Sequence, residues 1–265
     1  MTTANVQTID DQTTAAPAAN TTPEAGKVKL EWGNAWRAVR ALMKDKEDTT
    51  QVFEVMRALR GDAMQRGAAR FKTLEDGQRI LKAEEELLDT LKDRDWLATL
   101  PEGSLGREYL AFMIREGITA EGLVESSVEA GYPVQDKAVA LYGRRLRDQH
   151  DLWHVVTGYG RDGVGEACVV AFSYPQTKSL GFAVIAAMAG YTFKSQFKGQ
   201  PIVRAVWQAY LDGRRSEWLP GQDWRHLLTL PIGEVRQRLK IRRPSRYLAC
   251  EKAIAGTGQE AAQAA

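Results

Sequence analysis

An all-α fold, a single domain of about ten helices, is what the sequence predicts, and three observations carry that prediction. From Leu30 onward apolar residues recur at helical spacing, and no stretch alternates for long with the two-residue period of a half-buried strand. Glycines at Gly61, Gly77, Gly103, Gly117 and Gly131 punctuate the first half at short intervals, as they do in a stack of short helices. The 265 residues are 44% hydrophobic, enough to bury a real core.

Trp32, Trp36, Val39 and Met43 define the face of a first helix, and Val52, Val55, Met56 and Leu59 that of a second, started by a cap at Asp48 or Thr49. Thr119 is the next expected cap. After Gly131-Tyr132-Pro133, one longer helix is expected from Val134 through Ala138, Leu141, Tyr142 and Leu146 to Gly158, with Gly143 its weak point. The stretch from Ser179 to Phe193 is uncharged between Lys178 and Lys194, yet a bilayer span needs about 20 apolar residues. It reads either as a core helix or as one whose small residues, Gly181, Ala183, Ala186, Ala187, Ala189 and Gly190, leave a groove for a chain-like apolar ligand. A further helix is expected from Pro201 to Arg214 with Val203, Val206, Trp207 and Tyr210 on one face, and Pro231 suits a first helical position. Residues 1–26 are predicted to be a disordered tail, residues 27–250 the folded domain and residues 251–265 a frayed C-terminal tail.

The formal net charge is +2, and the first 26 residues hold three acids and no Lys or Arg, which leaves +5 on the rest. That bias is too weak and dispersed for nucleic acid, and is compatible with resting against an anionic lipid surface. The tail lacks both an Arg-rich amphipathic leader and the apolar run of a secretory signal, so a bacterial cytoplasmic location is expected. Cys168 and Cys250 have no metal-binding spacing and read as reduced structural thiols.

The stretch Gln149-His150-Asp151-Leu152-Trp153-His154 carries the chemistry. On a helix, residues step by about 100°, so His150, Asp151 and His154 share one arc while Leu152 and Trp153 point away to pack. The glycine-bearing segment from Thr157 to Gly163 lets the next helix run back and bring Glu166 alongside. Two imidazoles and two carboxylates suit a divalent metal between two helices. Zn²⁺ is placed first, with Fe, Mn, Co or Mg as alternatives. Of the three histidines in the chain two are spaced i, i+4, which is what lets two imidazoles share an ion, while His226, beside Trp224 and Leu227, reads as structural. Arg147 lies over the same arc, where it either clamps a substrate carboxylate or pairs with Asp151, and Arg145 points away into solvent.

The zinc-protease motif H-E-x-x-H needs Glu where this chain has Asp151, and the HD phosphohydrolases need a histidine ligand upstream of His150, where there is none. The pattern H-D-x-x-H, eleven residues, then Glu, formed here by His150, Asp151, His154 and Glu166, resembles the signature of the Coq-four family of ubiquinone (coenzyme Q) biosynthesis proteins. Arg145, Arg147 and the stretch from Trp224 to Arg236, WRHLLTLPIGEVR, extend the resemblance over about residues 27 to 245. It implies metal-dependent, oxidative decarboxylation of the ring carboxylate of a polyprenyl-hydroxybenzoate, a lyase reaction coupled to hydroxylation at the same carbon. His150, Asp151, His154 and Glu166 would be the metal ligands, and Glu166, Asp151 and Arg147 the catalytic groups. Arg147, Gly181, Ala186, Ala187 and Gly190 would contact the prenylated substrate or quinone intermediate. The alternative is a non-catalytic scaffold that binds polyprenyl lipids and organises the other ubiquinone-biosynthesis enzymes. Peripheral contact with the inner membrane and no nucleic acid are expected in either case, and the Trp and Tyr residues suit a homodimer interface as well as a core.

Overall fold

The structure, a computed structural model, describes residues 29–44, 49–122 and 136–263. Among these residues the chain is all-α, with fifteen α-helices and one short 3-10 turn. A hairpin of α1 (Trp32–Lys44) and α2 (Thr49–Ala58) opens the fold. It is followed by α3 (Ala63–Phe71), α4 (Glu75–Ala83), α5 (Leu87–Leu91), α6 (Arg94–Thr99) and α7 (Leu105–Glu116). The central helices are α8 (Lys137–Asp148), α9 (His150–Thr157), α10 (Gly163–Thr177), α11 (Leu180–Gln196) and α12 (Ile202–Arg215). The turn Leu219–Gly221 and helices α13 (Trp224–Leu228), α14 (Ile232–Arg238) and α15 (Ser245–Gln263) complete the chain. The number exceeds ten because residues 63–116 fall into five short helices, separated by turns such as the left-handed positions Glu84 and Gly103. The expected tail at 1–26, the Asp48 cap and the helix start at Val134 lie outside the described residues, as does whatever follows Thr119 beyond residue 122.

Helix α9 is the centre of the main core. Its Leu152, Trp153 and Val156 pack with Val164, Cys168 and Phe172 of α10, Tyr109 and Phe112 of α7, and Trp224 and Val235 from the last third of the chain. Every residue of α9 except His150 is buried. A fully buried Leu, Val or Phe side chain contributes about 1.5–3 kcal/mol, so packing and not intrinsic propensity holds this eight-residue helix, which is too short to be stable alone.

Several expectations about faces and ends are corrected. Trp32 and Trp36 are exposed, and it is Ala35, Ala38 and Val39 that bury α1 against α2 and α11. On α12, Val203 and Trp207 are likewise exposed while Ile202, Ala205 and Ala209 are buried. In both helices the small residues define the packed face, because a close neighbour fits them and leaves the bulky rings outside. The long helix ends at Asp148 and restarts at His150, with Gln149 at φ −81° and ψ 0° between them. Arg145 is buried, its guanidinium donating to the Gln222 carbonyl at 2.6 Å and lying over the Phe71 ring. Pro231 precedes α14 as its cap residue, and residues 251–263 continue α15 where a frayed end was expected, their alanines favouring helix.

The small residues of α11 are used mainly for close packing. A side chain at Gly181 would collide with Met56 of α2, Gly190 sits against Val206 of α12, and Ala186 is buried, whereas Ala187 faces outward. The cleft lined by Leu91 to Glu121 and the one lined by Val203 to Arg246 include none of these small residues.

Candidate metal centre

The break at Gln149 aims α9. The Gln149 side chain is fully buried, and its Nε2 donates to the Arg145 carbonyl at 3.1 Å. Its Oε1 accepts the indole N–H groups of Trp153 at 3.2 Å and of Trp224 at 2.8 Å. At the other end of α9, Gly158 closes the helix at φ +79°, a left-handed position that favours glycine. Arg236 then donates from Nε to the Val156 carbonyl at 2.9 Å and from Nη2 to the Val155 carbonyl at 3.1 Å, satisfying carbonyls left open by the helix end. Trp224 and Arg236, the two ends of the stretch singled out near the C-terminus, thus hold the two ends of α9.

Glu166 is set by the loop that follows. Asp162 caps α10, accepting from the backbone N–H of Val164 at 3.0 Å and of Gly165 at 3.1 Å. Tyr247 of α15 fixes the loop by accepting the Gly160 N–H at 3.1 Å and donating to the Asp162 carboxylate. Any side chain at Gly165 would overlap the Gly160 carbonyl, so this close approach requires glycine. Glu166 therefore sits in the first turn of α10, where the helix dipole favours an anion.

These elements bring three of the four predicted groups to one point. His150 Nε2 and His154 Nε2 are 3.3 Å apart, and Glu166 Oε2 lies 3.7 Å from the first and 3.5 Å from the second. Ligands bound at about 2.0–2.2 Å around a tetrahedral ion lie about 3.3–3.6 Å from one another, so the triangle matches the edges of a coordination shell to within about 0.1–0.2 Å. The His154 Nδ1 donates to the Tyr159 carbonyl at 3.0 Å, since a carbonyl can only accept. That bond leaves the Nε2 lone pair directed at the cluster, the outer-shell arrangement expected of a metal-binding histidine. Phe112 stacks on the His154 ring with centroids 5.9 Å apart and holds its plane.

Asp151 is buried, and its carboxylate lies within 4.8 Å of ligand atoms on both histidines. Either carboxylate, Asp151 from the same helix or Glu166 from the next, can therefore join the two histidines. His154 is 0% exposed, but the His150 and Glu166 side chains are 27% and 37% exposed, so the cluster has one open side. Burial opposes the charge of His154, yet the hydrogen bond and charge of Glu166 prevail and raise its pKa above the ordinary imidazole value. For Glu166, burial pushes the carboxyl up, and the two imidazoles more than reverse it, holding it well below the usual carboxylate range. In the absence of an ion, the raised pKa of His154 and the lowered pKa of Glu166 favour opposite charges on the two groups. With one, two imidazoles and one or two carboxylates are directed at it, a donor set that fits Zn²⁺ or another borderline divalent metal.

Arg147 is turned to its neighbour, with Nε and Nη2 at 2.7 and 2.6 Å from the Asp148 carboxylate. The guanidinium that approaches the cluster is that of Arg161, its Nε 3.9 Å from Glu166 Oε1, which sequence reasoning missed because it lies in the loop and not on the His150 helix. Gln149 and Tyr247 were missed too. Only the Gln149 position next to the motif gave any signal. His226 is exposed at the start of α13, outside the cluster.

Fold and site together define a class: an all-α protein whose central buried helix presents two histidines and a carboxylate to a carboxylate from the following helix. The chain belongs to the family described as coenzyme Q (ubiquinone) biosynthesis protein Coq4, whose model matches residues 25–245. Among its relatives, the mitochondrial ubiquinone biosynthesis protein coq4 of Aspergillus niger is 28% identical over 174 residues, 63% of this chain and 56% of the relative. That of Pyrenophora tritici-repentis is 27% identical over 186 residues, 67% of this chain and 59% of the relative. The chain therefore spans less than two thirds of the length of these relatives. A crystal structure of a protein assigned to ubiquinone biosynthesis in Nostoc punctiforme PCC 73102 shares the fold, with a TM-score of 0.60, 21% identity, and coverage of 80% of this chain and 98% of that one. The expected bacterial cytoplasmic location is contradicted by these relatives, which are mitochondrial proteins of fungi, although the structural neighbour is bacterial. The composition of residues 1–26, on which that expectation rested, describes the segment and not the compartment.

Proposed function

We propose that the chain catalyses the metal-dependent, oxidative decarboxylation of the ring carboxylate of a polyprenyl-hydroxybenzoate in ubiquinone biosynthesis, working beside the other enzymes of that route. The observation that supports this reading is the open-sided triangle of His150 Nε2, His154 Nε2 and Glu166 Oε2 in a member of this family. His150, His154 and Glu166, with Asp151 behind them, would hold the ion. A divalent metal bound there supplies Lewis-acid stabilisation of the charge that develops as CO₂ leaves, and a redox-active one supplies access to oxygen chemistry. The chain's own residues do the rest. Tyr159 and Phe112 fix the His154 ring, the depressed pKa of Glu166 keeps its carboxylate ionised, and the exposed edge between His150 and Glu166 admits the substrate head. Arg161, beside Glu166, is placed to meet a substrate carboxylate, whereas Arg147 is engaged by the buried Asp148. The test is metal analysis of the purified protein with a CO₂-release assay on carboxyl-labelled polyprenyl-hydroxybenzoate in air. Stoichiometric metal with labelled CO₂ is the expected result. Bound prenyl lipid without CO₂ release, with each candidate metal supplied, would replace the enzyme by the scaffold reading.

The site also predicts opposite pH responses for the metal-free and metal-loaded protein. Imidazole must lose its proton to bind an ion, so metal affinity falls as pH drops through the raised pKa of His154, starting above the ordinary imidazole range. In the metal-free protein, the raised pKa of His154 contributes stability that is complete below the unfolded value and lost as pH rises through the folded one. The depressed pKa of Glu166 contributes stability present above the ordinary carboxylate value and lost in strong acid. Thermal unfolding of chelator-treated protein is therefore expected to peak at mildly acidic pH, while metal affinity increases toward alkaline pH. Parallel pH profiles for the two would count against the His–Glu pair as the metal-binding group.

A further inference from the structure

Helix α12 and the segment leading into α15 enclose a cleft of about 770 Å³ that shares no residue with the His150 cluster. Five guanidiniums line it: Arg204 and Arg215 from α12, Arg242 and Arg243 from the approach to α15, and Arg246 from its first turn. All five residues are exposed. Among the described residues, the one carboxylate within 4.0 Å of any of them is the buried Asp212, at 4.0 Å from Arg215. The cleft thus carries an excess of about four positive charges in a small volume, which repel one another unless an anion lies between them.

The arrangement is fixed in place. Gln208 of α12 donates from Nε2 to the Arg243 carbonyl at 3.3 Å and accepts the Arg246 N–H at Oε1 at 3.0 Å, so the arginine-bearing segment is clamped to the helix. Beside the arginines, Val203 and Trp207 stand one helical turn apart with 51% and 60% exposure. A soluble phosphate needs only the guanidiniums. An exposed indole and valine flanking them match the side chains that settle at the boundary of a lipid bilayer, where Trp sits at headgroup depth and Arg keeps its charge among phosphates. No helix among the described residues is long and apolar enough to cross a membrane, so such contact is with the surface.

We propose that the arginine cleft between α12 and the approach to α15 docks the protein on an anionic phospholipid surface, with headgroup phosphates among the five guanidiniums and Trp207 and Val203 in the interfacial layer. The proposal is independent of the reaction at the His150 cluster. It is tested by sedimenting the full chain with vesicles of phosphatidylcholine alone, or of phosphatidylcholine with phosphatidylglycerol, at low and high salt. Binding is expected only to the anionic vesicles and weakened by salt. Since each basic residue near such a surface is worth about fivefold in partition, Arg242→Gln/Arg243→Gln/Arg246→Gln should lose about a hundredfold. Those side chains are exposed and make no ion pair among the described residues, and circular dichroism checks that the variant folds. A second variant, Arg204→Gln/Trp207→Ala, acts from the helix side and should lose at least about tenfold. Undiminished vesicle binding by either folded variant overturns the proposal, as does equal binding to phosphatidylcholine alone. Saturable binding of glycerol phosphate without vesicles, lost in the variants and competing with sedimentation, would make the cleft a soluble-anion site and overturn it as well.

Discussion

Glu166→Ala is expected to fold as the wild type does, to bind metal at least about 10–100-fold more weakly, and to release no labelled CO₂ above background. The fold should survive because Glu166 is more than a third exposed on the first turn of α10, where Asp162 still caps the helix and Tyr247 still holds the loop. Loss of its pairing with the histidines costs the metal-free protein no more than about 1 kcal/mol once solvent screening is allowed for. Loss of the carboxylate from the triangle is different in kind, since it removes an anionic ligand and the carboxylate on the open side of the cluster. His154→Ala should abolish metal binding too, but it also empties a fully buried position against Phe112 and destabilises by about 1–3 kcal/mol through lost packing. Comparing the two separates the chemistry from the scaffold. A folded Glu166→Ala that still releases CO₂ at the wild-type rate would remove Glu166 from the site, and one that unfolds would make the metal structural.

The all-α fold was legible because helical period, glycine punctuation and the absence of alternation all point one way, and the motif was legible because its spacing depends on one helix and one turn. What could not be read was set by contacts between distant residues. Which face of α1 and α12 is buried depends on neighbours that approach the alanines, so the tryptophans end outside against their hydrophobic character. Arg145 is drawn inside by the Gln222 carbonyl and the Phe71 ring, 77 and 74 residues away. In the candidate site, His150, Asp151, His154 and Glu166 could be named from the sequence, but Tyr247 could not, because nothing local in α15 shows that its hydroxyl reaches the loop before Glu166.

Gln149→Leu should be the most destabilising of the conservative-sized substitutions near the site, by about 2–6 kcal/mol. The Gln149 amide is fully buried, and leucine fills much of its volume but offers no acceptor. Two indole N–H groups, on Trp153 and Trp224, then lose their partner inside the core, at about 1–3 kcal/mol each. The Arg145 carbonyl fares better, since it still accepts the residue-149 backbone N–H at 3.1 Å. Removing one orphaned donor should therefore relieve part of the loss: Trp224→Phe in the Gln149→Leu background is expected to cost less than the two single changes added together. Because Gln149 sits at the break that aims α9, with His150 the next residue, metal affinity should also fall by about 10–100-fold in variant protein that remains folded. Urea unfolding of the four proteins of this cycle, with metal titration of each, measures both effects. A loss below about 0.5 kcal/mol, or strict additivity with Trp224→Phe, would show that the buried amide does not couple the two indoles. Stability loss with unchanged metal affinity would separate the core network from the orientation of His150.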